Sequence, residues 1–345
     1  MILGRISEPL LAWYDRSARI LPWREDPTPY RVWISEIMLQ QTRVEAVKPY
    51  FERFVEQLPD VTALSEADED QLMKLWEGLG YYSRVRNLKR AAQIAVKEYG
   101  GRLPADYDEL LKLPGIGPYT AGAISSIAFG IPAPAVDGNV LRVMTRLAAD
   151  YSDVSDGKVR QRMEQQVRDI LPNERAGDMN QALMELGATV CLPNGLPKCS
   201  QCPLGELCEA KRQGNPLDFP QKSTKKKRRI EKKTVLLLIC GETVAIRKRR
   251  EKGLLAGLYE FPNLDGNLTA EEIKNQTEQW GMQVLSIESV GRAKHIFTHV
   301  EWHMEGFRIE VSQRSDALIW VTKEEQEERY SIPSAFRFYT AKWKS

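Results

Sequence analysis

The sequence predicts two folded domains, an all-α domain followed by a smaller α+β domain. The chain has 345 residues, which exceeds the length at which a single hydrophobic core usually keeps growing. Apolar residues recur every three to four positions in the first part of the chain, whereas the last part contains short β-rich runs. A polar, strongly basic stretch separates the two parts.

These observations predict a helical domain over residues 1–215, a basic interdomain linker over 216–233 and a mixed domain over 234–345. The linker reads PLDFPQKSTKKKRRIEKK, and this much like charge is incompatible with a packed core. It is either a solvated connector or a segment that also contacts phosphates, and the sequence leaves both interpretations open. The formal net charge of the chain is only +2, so composition gives no further indication of a polyanionic partner.

The predicted helices of the first domain include VEAVKPYFERFVEQL, SRVRNLKRAAQIAVKEY, NVLRVMTRLAA and GKVRQRMEQQVRDIL. Within this domain, LPGIGPYTAGAISSIAF predicts two short helices joined by a tight hairpin. Gly115 and Gly117 provide the turn, and Pro118 opens the second helix, where its missing N–H costs nothing. Such a turn exposes N–H groups that suit a DNA backbone phosphate, although a plain helix-packing turn is the alternative.

Four of the five cysteines lie within eighteen residues, in the segment CLPNGLPKCSQCPLGELC. They are Cys191, Cys199, Cys202 and Cys208. Four thiolates suit either a tetrahedral zinc ion or an iron–sulfur cluster, and their spacing does not choose between the two. A pair of disulfides is the alternative, which we disfavour because nothing else in the sequence indicates an oxidising compartment. No secretory signal or membrane-spanning run is present, so we expect a cytoplasmic location.

The last part of the chain predicts strands and one helix. TVLLLICGETVAIRKR reads as two strands around Gly241-Glu242, SVGRAKHIFTHVEWHMEGFRIEV reads as a strand pair, and DALIWVT reads as a further strand. A helix is predicted from about Thr269 to Trp280.

Two carboxylates are candidates for acid–base chemistry. Glu36 lies among Trp33, Ile37 and other apolar residues, which predicts a poorly solvated carboxyl group that favours its neutral form. Asp137 precedes a helix, whose N–H groups and dipole favour the ionised form. One neutral acid and one anion are what cleavage of a glycosidic bond requires. The ordinary alternatives are a solvent-facing glutamate for Glu36 and a simple helix cap for Asp137.

The hairpin, the following VDGNV segment and the four-cysteine loop together resemble the DNA glycosylases of the endonuclease III superfamily. Four longer fragments resemble the adenine DNA glycosylase family, and the resemblance extends through the C-terminal domain. These fragments are PWR at 22–24, WISEIMLQQTRV at 33–44, WEGLGYYSRVRNL at 76–88 and PAVDGNVLRV at 134–143. The resemblance implies an all-α helix-hairpin-helix glycosylase domain, a 4Fe-4S cluster in the loop 191–208 and a Nudix-like α+β domain that recognises 8-oxoguanine.

The same resemblance assigns roles to individual residues. It implies that Glu36 is the general acid and Asp137 the stabilising anion, with Arg24 and Asn139 as their neighbours. Arg19, Leu21 and Trp23 resemble residues that line the adenine pocket, and Gln41, Leu79 and Tyr81 resemble residues that enter or flank the DNA duplex beside the lesion. Members of the superfamily that also cut the strand carry a lysine where this chain has Tyr119, so we expect base release without efficient strand cleavage.

The C-terminal domain departs from the families that it resembles. The segment GLLAGLYEFP at 253–262 resembles the Nudix fold, but the glutamate-rich helix that would hold magnesium is missing. The family reads the oxidised guanine with a Phe-Ser-His loop, and Phe297, Thr298 and His299 stand in its place. Seven residues separate Cys191 from Cys199, whereas the family usually has six, and we expect the proline-rich loop to absorb the extra residue.

The resemblance therefore implies a monomeric base excision repair enzyme whose partner is duplex DNA containing adenine opposite 8-oxoguanine or guanine. We expect it in the cytoplasm, associated with the nucleoid through DNA. Two other functions stay open at this level. One is an iron–sulfur protein that only binds and scans DNA, which would not need Glu36 with Asp137. The other is a glycosylase that acts on thymine opposite guanine.

Overall fold

The computed structural model describes residues 2–223 and 227–344, except the side chain of Ile2. These residues form two compact units. The first combines the residues up to Ala67 with those from Arg86 to the start of the undescribed segment 224–226. The second combines Asp68–Val85 with the described residues after that segment.

Helices make up the first unit and the inserted part of the second. In chain order they are α1 (Ser7–Ser17), α2 (Pro22–Glu25), α3 (Pro29–Leu39), α4 (Val44–Gln57), α5 (Val61–Glu66), α6 (Glu69–Leu75), α7 (Ser83–Tyr99), α8 (Tyr107–Lys112), α9 (Pro118–Ala123), α10 (Gly138–Ala148), α11 (Gly157–Ile170), α12 (Ala176–Thr189) and α13 (Glu209–Arg212). A π-helical turn, Ile124–Ala128, continues α9, and short 3-10 turns lie at Ile2–Arg5, Cys199–Gln201, Gly205–Leu207 and Pro216–Asp218. No helix among the described residues is both long enough and apolar enough to cross a bilayer.

The core of the first unit lies where α1, α10 and α12 pack together. Its residues come from apolar positions repeated every three or four residues, such as Val140, Val143 and Leu147 on one face of α10. Each buried methylene removed from water contributes about 0.8 kcal/mol, so this shared face fixes how the three helices pack. The loops that precede α10 and follow α12 carry the site residues described below.

The predicted hairpin is present between α8 and α9. Gly115 has φ of +81°, and a Cβ atom there would lie 2.7 Å from Cβ of Asn87, so only glycine fits without strain. Gly117 differs from the prediction, because its φ of −101° and ψ of −178° are extended backbone that any residue adopts. Pro118 opens α9 at its first position, as expected.

The second unit contains a mixed sheet covered on both faces. Its elements are β1 (Arg229–Cys240), β2 (Thr243–Lys248), β3 (Tyr259–Glu260), β4 (Asn263–Asp265), α14 (Ala270–Gln279), β5 (Val284–Ile296), β6 (Val300–Val311), β7 (Ile319–Val321), α15 (Lys323–Arg329) and α16 (Arg337–Lys344), with a 3-10 turn at Ser334–Phe336. The strand order is β3-β2-β1-β6-β5, with β4 paired to β1 and β7 paired to β2. β1 and β6 are parallel, whereas β5 and β6 form an antiparallel hairpin.

The fold class predicted from the sequence is confirmed. The predicted strand pairs correspond to β1 with β2 and to β5 with β6, and the predicted helix corresponds to α14. Val235 and Leu237 of β1 point into one core, and Leu236 and Leu238 point into the other. A strand that is buried on both faces explains why this run is continuously apolar instead of alternating.

The grouping into compact units does not follow the predicted domains throughout. The segment Asp68–Val85 lies within the predicted helical domain 1–215 and groups by its contacts with the second unit. There α6 packs against α15 and buries Leu72, Met73 and Trp76. A helical period shows that an apolar face exists, but it does not show which partner covers that face.

The predicted linker 216–233 is also more ordered than expected where it is described. Phe219 is 2% exposed, and its ring lies 4.6 Å from the ring of Tyr151. The last residues, Arg229 to Lys233, begin β1 and pair with β6. Their backbone joins the sheet while their side chains stay at least partly solvated, so the charge does not prevent strand formation. Residues 224–226 of the predicted linker lie outside the described residues.

Candidate active site

A cavity of about 590 Å³ in the first unit brings together most of the residues predicted to act on the base. Those predicted residues are Arg19, Leu21, Trp23, Arg24, Glu36, Gln41, Tyr119, Asp137 and Asn139. They come from the four helices α2, α3, α9 and α10 and from connections beside them, so the fold and not proximity in sequence assembles the site. A cavity of this size can enclose a purine nucleoside, since ligand pockets typically span roughly 300–1,000 Å³.

Glu36 provides a carboxyl group that can hold a proton near neutral pH. It lies on the buried side of α3 and is 6% exposed. The pKa of Glu36 is raised to about 7, and burial is the largest cause. The hydroxyl of Tyr119, which donates to Glu36, lowers this pKa in part, and the charge of Asp137 raises it. Tyr119 stays protonated, because burial and the nearby carboxylates raise its pKa well above the ordinary value. Glu36 is therefore suited to general acid catalysis.

Asp137 caps α10 and is held by three donors. The backbone N–H groups of Asn139 and Val140 each donate to Oδ1 at 2.8 Å, and Nδ2 of Asn139 donates to Oδ2 at 2.7 Å. The sequence analysis predicted that the helix N-terminus would favour the anion, but burial outweighs these bonds and raises the pKa of Asp137. The three donors stabilise the ionised form of Asp137, and its negative charge contributes to the raised pKa of Glu36.

Arg142 fixes the amide of Asn139 and links it to the cysteine loop. Its Nη2 donates to Oδ1 of Asn139 at 2.9 Å, which leaves Nδ2 to donate to Asp137. Its Nε donates to the carbonyl of Cys191 at 2.8 Å, and Nη2 also donates to the carbonyl of Gly187 at 2.8 Å. Asp137 is thus oriented by a hydrogen-bonded chain that begins at the first cysteine of the loop.

Glu185 is a polar residue of the cavity that the sequence analysis missed. Its carboxylate is buried and accepts from Nε of Arg19 at 2.6 Å and from Nη2 of Arg24 at 3.0 Å. Arg24 also donates to Oε1 of Gln181 at 3.0 Å. A buried acidic residue in the otherwise apolar stretch ALMELGA was the available signal, because such a charge needs partners. The two arginines are therefore held in place by this carboxylate.

The four cysteines of the loop line one small cavity, together with Arg146, Lys198 and Lys211. The pKa of Cys202 is raised to about 12, mainly by burial and in part by the other three cysteines. Four thiolates could coexist here only around positive charge, which is what a metal centre supplies. Among the described residues, no three or more ligating side chains are arranged to hold a metal ion.

The loop between Cys191 and Cys199 contains an exposed turn. The N–H of Lys198 donates to the carbonyl of Val190 at 3.0 Å and closes the base of the loop. Asn194, Gly195 and Leu196 project from it and are exposed, with Gly195 at φ of +73°. The four cysteines line one cavity, and absorption of the extra residue by this loop stays a prediction.

Tyr81, in the second unit, lies at the tip of a tight loop after α6. Gly78, Gly80 and Tyr81 have φ of +101°, +69° and +48°. Gln41, in the first unit, has φ of +61°, so both residues predicted to enter the duplex have left-handed backbone, which costs roughly 1–3 kcal/mol per residue and concentrates at functional sites. The side chain of Leu79 is buried inside the unit, and its predicted contact with DNA stays a prediction.

Arg84 supports this loop from inside the second unit. Its Nη2 donates to the carbonyls of Leu79 and Gly80, both at 3.0 Å, and its guanidinium lies 5.7 Å from the ring centre of Tyr81. Burial lowers the pKa of Arg84 to about 10, which leaves it charged at neutral pH. Because Arg84 is buried, it supports the loop from inside and is not a surface cation.

The segment Phe297–His299 forms the turn between β5 and β6. The N–H of Phe297 donates to the carbonyl of Val300 at 2.8 Å, and the ring of Phe297 packs edge-on against the buried Trp302. Thr298 and His299 are exposed at the tip. The hydroxyls of Thr298 and Tyr81 lie 3.2 Å apart. The second unit therefore brings Tyr81, the wedge predicted to enter the duplex, into contact with the reading loop 297–299, which is predicted to recognise the oxidised guanine.

The Nudix-like resemblance is reflected in the mixed sheet of the second unit. Glu272 of α14 is used to cap its own helix through Thr269, and Glu278 pairs with Lys274. Glu260 lies buried between Arg247 and Arg249. These pairings leave the glutamates named here engaged in structural roles.

Comparisons with known proteins agree with this architecture. Residues 34–169 match the HhH-GPD superfamily of base excision DNA repair proteins, and residues 234–342 match the NUDIX domain. The adenine DNA glycosylase of Homo sapiens is 34% identical, over 92% of this chain and 70% of that protein. A thermostable thymine-DNA glycosylase structure aligns with a TM-score of 0.56 and 27% identity, over 61% of this chain and 97% of that one. A trapped endonuclease III–DNA intermediate aligns with a TM-score of 0.52 and 27% identity, over 61% of this chain and 98% of that one.

Proposed function

This chain belongs to the adenine DNA glycosylase family, hydrolases of N-glycosyl bonds in DNA, and we propose that it removes adenine paired with 8-oxoguanine or guanine. DNA is its partner, and base excision repair is the process in which the family acts. The observation that carries the proposal is the pair of carboxyl groups in the cavity of the first unit: Glu36, whose pKa is raised to about 7, and Asp137, which accepts three hydrogen bonds.

The two carboxyl groups divide the work of breaking the bond. Glu36 gives its proton to the departing adenine, so the base leaves as a neutral molecule and not as an anion. Asp137 stays an anion and stabilises the positive charge that develops on the sugar. Asn139 and Arg142 keep the carboxylate of Asp137 turned toward the cavity. Water then adds to the sugar, so the overall reaction is hydrolysis.

The pocket walls suit a flat purine that has been turned out of the duplex. Leu21 and Trp23 offer apolar and aromatic surface, and both are buried around the cavity. Arg19, Arg24 and Glu185 offer donors and an acceptor in fixed positions, because each holds the others. A site built from hydrogen-bonding groups rejects bases that lack matching partners.

Tyr119 occupies the position where strand-cutting relatives carry a lysine. Its hydroxyl donates to Glu36 and its raised pKa keeps it protonated, so it cannot attack the sugar as an amine would. We therefore assign base release without efficient strand cleavage to this enzyme. Product trapped by borohydride at the rate of base release would contradict this assignment.

The four-cysteine loop is proposed to hold a 4Fe-4S cluster, which is general in this family. Cys191, Cys199, Cys202 and Cys208 are the ligands, and the charges of Arg146, Lys198 and Lys211 around the same cavity offset the negative cluster. The donor set fits a soft, sulfur-bound centre. When bound, the cluster would supply a rigid anchor for the loop. The backbone carbonyl of Cys191 in this loop accepts the hydrogen bond from Arg142.

The remaining predicted residues are proposed to bind the duplex. Gly115 and Gly117 lie in the hairpin, where N–H groups at the start of α9 suit a backbone phosphate. Gln41 and Tyr81 enter the duplex, and Phe297, Thr298 and His299 read the oxidised guanine. We further propose that the enzyme acts as a monomer in the cytoplasm, associated with the nucleoid through DNA.

Single-turnover release of adenine tests the substrate, the reaction and the anion together. Duplexes with A opposite 8-oxoguanine, A opposite G, T opposite G and A opposite T are compared for the wild type and for Asp137→Asn. We expect release from the first two duplexes only, lost in the variant. Release of thymine would support the thymine-specific alternative, whereas tight binding without release would support a protein that only scans DNA.

A further inference from the structure

The segment Asp68–Val85, which carries Tyr81, is fixed to the C-terminal fold by polar contacts far from Tyr81 itself. Asp70, on the first turn of α6, accepts from Nζ of Lys248 and from the hydroxyl of Tyr259, each at 2.9 Å. Lys248 also lies over the ring of Tyr259, at 5.3 Å from its centre. One carboxylate therefore engages two neighbouring strands, because Lys248 ends β2 and Tyr259 begins β3.

A second carboxylate holds the other end of α6. Oε1 of Glu77 accepts from the N–H of Ile332 at 3.0 Å, and Oε2 pairs with Lys74 at 2.7 Å. The apolar face of α6 is buried between these two polar contacts, including Leu72 and Trp76. Asp70 and Glu77 thus determine the orientation in which the apolar face of α6 packs, since charge-assisted hydrogen bonds are directional and apolar contacts are not.

The loop that follows transmits this orientation to Tyr81. Nε1 of Trp76 donates to the carbonyl of Gly80 at 3.1 Å, and Arg84 donates to the same carbonyl. The guanidinium of Arg84 lies 5.3 Å from the ring centre of Trp76. The side chains of Trp76 and Arg84 therefore hold the loop together. Tyr81 has positive φ, a conformation that a free loop would leave, so its position depends on contacts made elsewhere in the segment.

We propose that Asp70 is a positioning residue for mismatch reading, which aligns Tyr81 with the loop of Thr298 by anchoring α6 to Lys248 and Tyr259. The inference rests on the proposed roles of Tyr81 and Thr298. Asp70, α6 and the loop of Thr298 belong to one unit. Tyr81 and Thr298 therefore approach DNA as one preformed surface. Asp70 touches neither base nor sugar in this account and acts only through Tyr81.

Asp70→Asn is the central variant, because it keeps the shape of the side chain and removes its charge. Asp265→Asn is the matched control, since Asp265 is an exposed aspartate of the same unit that pairs with Lys233 and has no contact with the segment 68–85 among its described hydrogen bonds. Dissociation constants are measured on a duplex that carries 2′-fluoro-deoxyadenosine, which resists hydrolysis, opposite 8-oxoguanine. An A:T duplex reports binding that does not depend on the mismatch.

We expect Asp70→Asn to weaken binding to the mismatched duplex by about tenfold, the effect of losing one charge-assisted contact, with the A:T duplex unchanged. The single-turnover rate at saturating enzyme stays within about twofold of the wild type, since a uniform loss of binding leaves the bound reaction unchanged. Lys248→Met, which leaves Tyr259 bonded to Asp70, weakens binding about threefold. Asp265→Asn changes the dissociation constant of neither the mismatched duplex nor the A:T duplex.

A double-mutant cycle with Tyr81→Ala separates positioning from general stability. If Asp70 acts through the wedge, its substitution has no further effect once Tyr81 is alanine. Equal losses in both backgrounds, or a dissociation constant for Asp70→Asn equal to that of Asp265→Asn, would overturn the inference. If Tyr81→Ala alone leaves mismatch binding unchanged, the proposed role of Tyr81 fails first, and the two failures are therefore distinguishable.

Discussion

In the first unit, Glu36 and Asp137 lie buried in one cavity, where Glu36 accepts a hydrogen bond from Tyr119 and Asp137 accepts three. In the second unit, Tyr81 and Thr298 are exposed and meet through one contact between hydroxyls. The first arrangement sets protonation states, which requires exclusion of water and fixed donors. The second presents side chains that are proposed to reach into DNA, which requires exposure.

The difference matches the two tasks proposed for the chain, which are cleavage of the glycosidic bond by the first unit and recognition of the mismatch by the second. Groups whose pKa must differ from that of water-exposed groups need a rigid, dry cavity, and Asp137 with its three donors is the most constrained of them. Groups that test an incoming base need a position but not an altered pKa. Backbone strain at Tyr81 and packing of α6 supply that position.

Glu36→Gln is expected to have the largest effect. Glutamine keeps the volume but has no acidic proton to give to the base, so single-turnover release of adenine should fall by about 10³-fold or more. Affinity for the mismatched duplex should change little, because no predicted reading residue contacts Glu36. Glu45→Gln, at an exposed glutamate of α4, is the control and should leave the rate unchanged. A variant that retains one tenth of the rate would remove Glu36 from the acid role.

Asn139→Ala should have the next largest effect. It removes the donor to Oδ2 of Asp137 and leaves Arg142 without its bond to the amide. Because that bond lowers the pKa of Asp137, its loss should raise this pKa further and move the acid limb of the pH–rate profile to higher pH. We expect the rate at neutral pH to fall about 100-fold, in line with removal of one stabilising donor. An unchanged acid limb would contradict this coupling.

The pH profile should show the raised pKa of Glu36 directly. Because Glu36 must be protonated, the rate should fall tenfold per pH unit above about pH 7. Tyr119→Phe removes a donor that lowers this pKa, so the descending limb should move to higher pH, and the ratio of the rate at pH 8.5 to that at pH 7 should rise by up to about tenfold. A limb that moves to lower pH would contradict the assignment of Tyr119 as donor.

Thr298→Val should have the smallest effect and tests the second unit. Valine keeps the shape and removes the hydroxyl that meets Tyr81, so the preference for 8-oxoguanine over guanine opposite adenine should fall about threefold to tenfold. Thr298→Ser, which keeps the hydroxyl and removes the methyl, should retain the preference. A serine variant as poor as the valine variant would show that the methyl group matters and the hydroxyl does not.

The sequence was informative where a pattern is local. Apolar periods predicted the helices and strands, and the N-cap position of Asp137 was correct because a cap involves only neighbouring residues. It was less informative about partners. The direction of the pKa of Asp137 depends on burial by distant helices, and Glu185 became recognisable only beside Arg19 and Arg24.

The assignment of 68–85 to the second unit illustrates the same limit. Its helix has an ordinary apolar face, and nothing in that face distinguishes α15 from a neighbour in the first unit. The contact between Asp70 and Lys248 joins residues that lie far apart in the chain, so no periodicity could reveal it. The family resemblance supplied the site residues, and the structure supplied the contacts that orient them.

The most direct test of the division between chemistry and reading compares Glu36→Gln and Tyr81→Ala on one A:8-oxoguanine duplex, with rate at saturating enzyme and dissociation constant measured for each. We predict that the first variant loses the rate and keeps the affinity, whereas the second keeps the rate within about threefold and loses the affinity. Loss of the saturated rate in Tyr81→Ala, or an equal loss of affinity in both variants, would contradict the account.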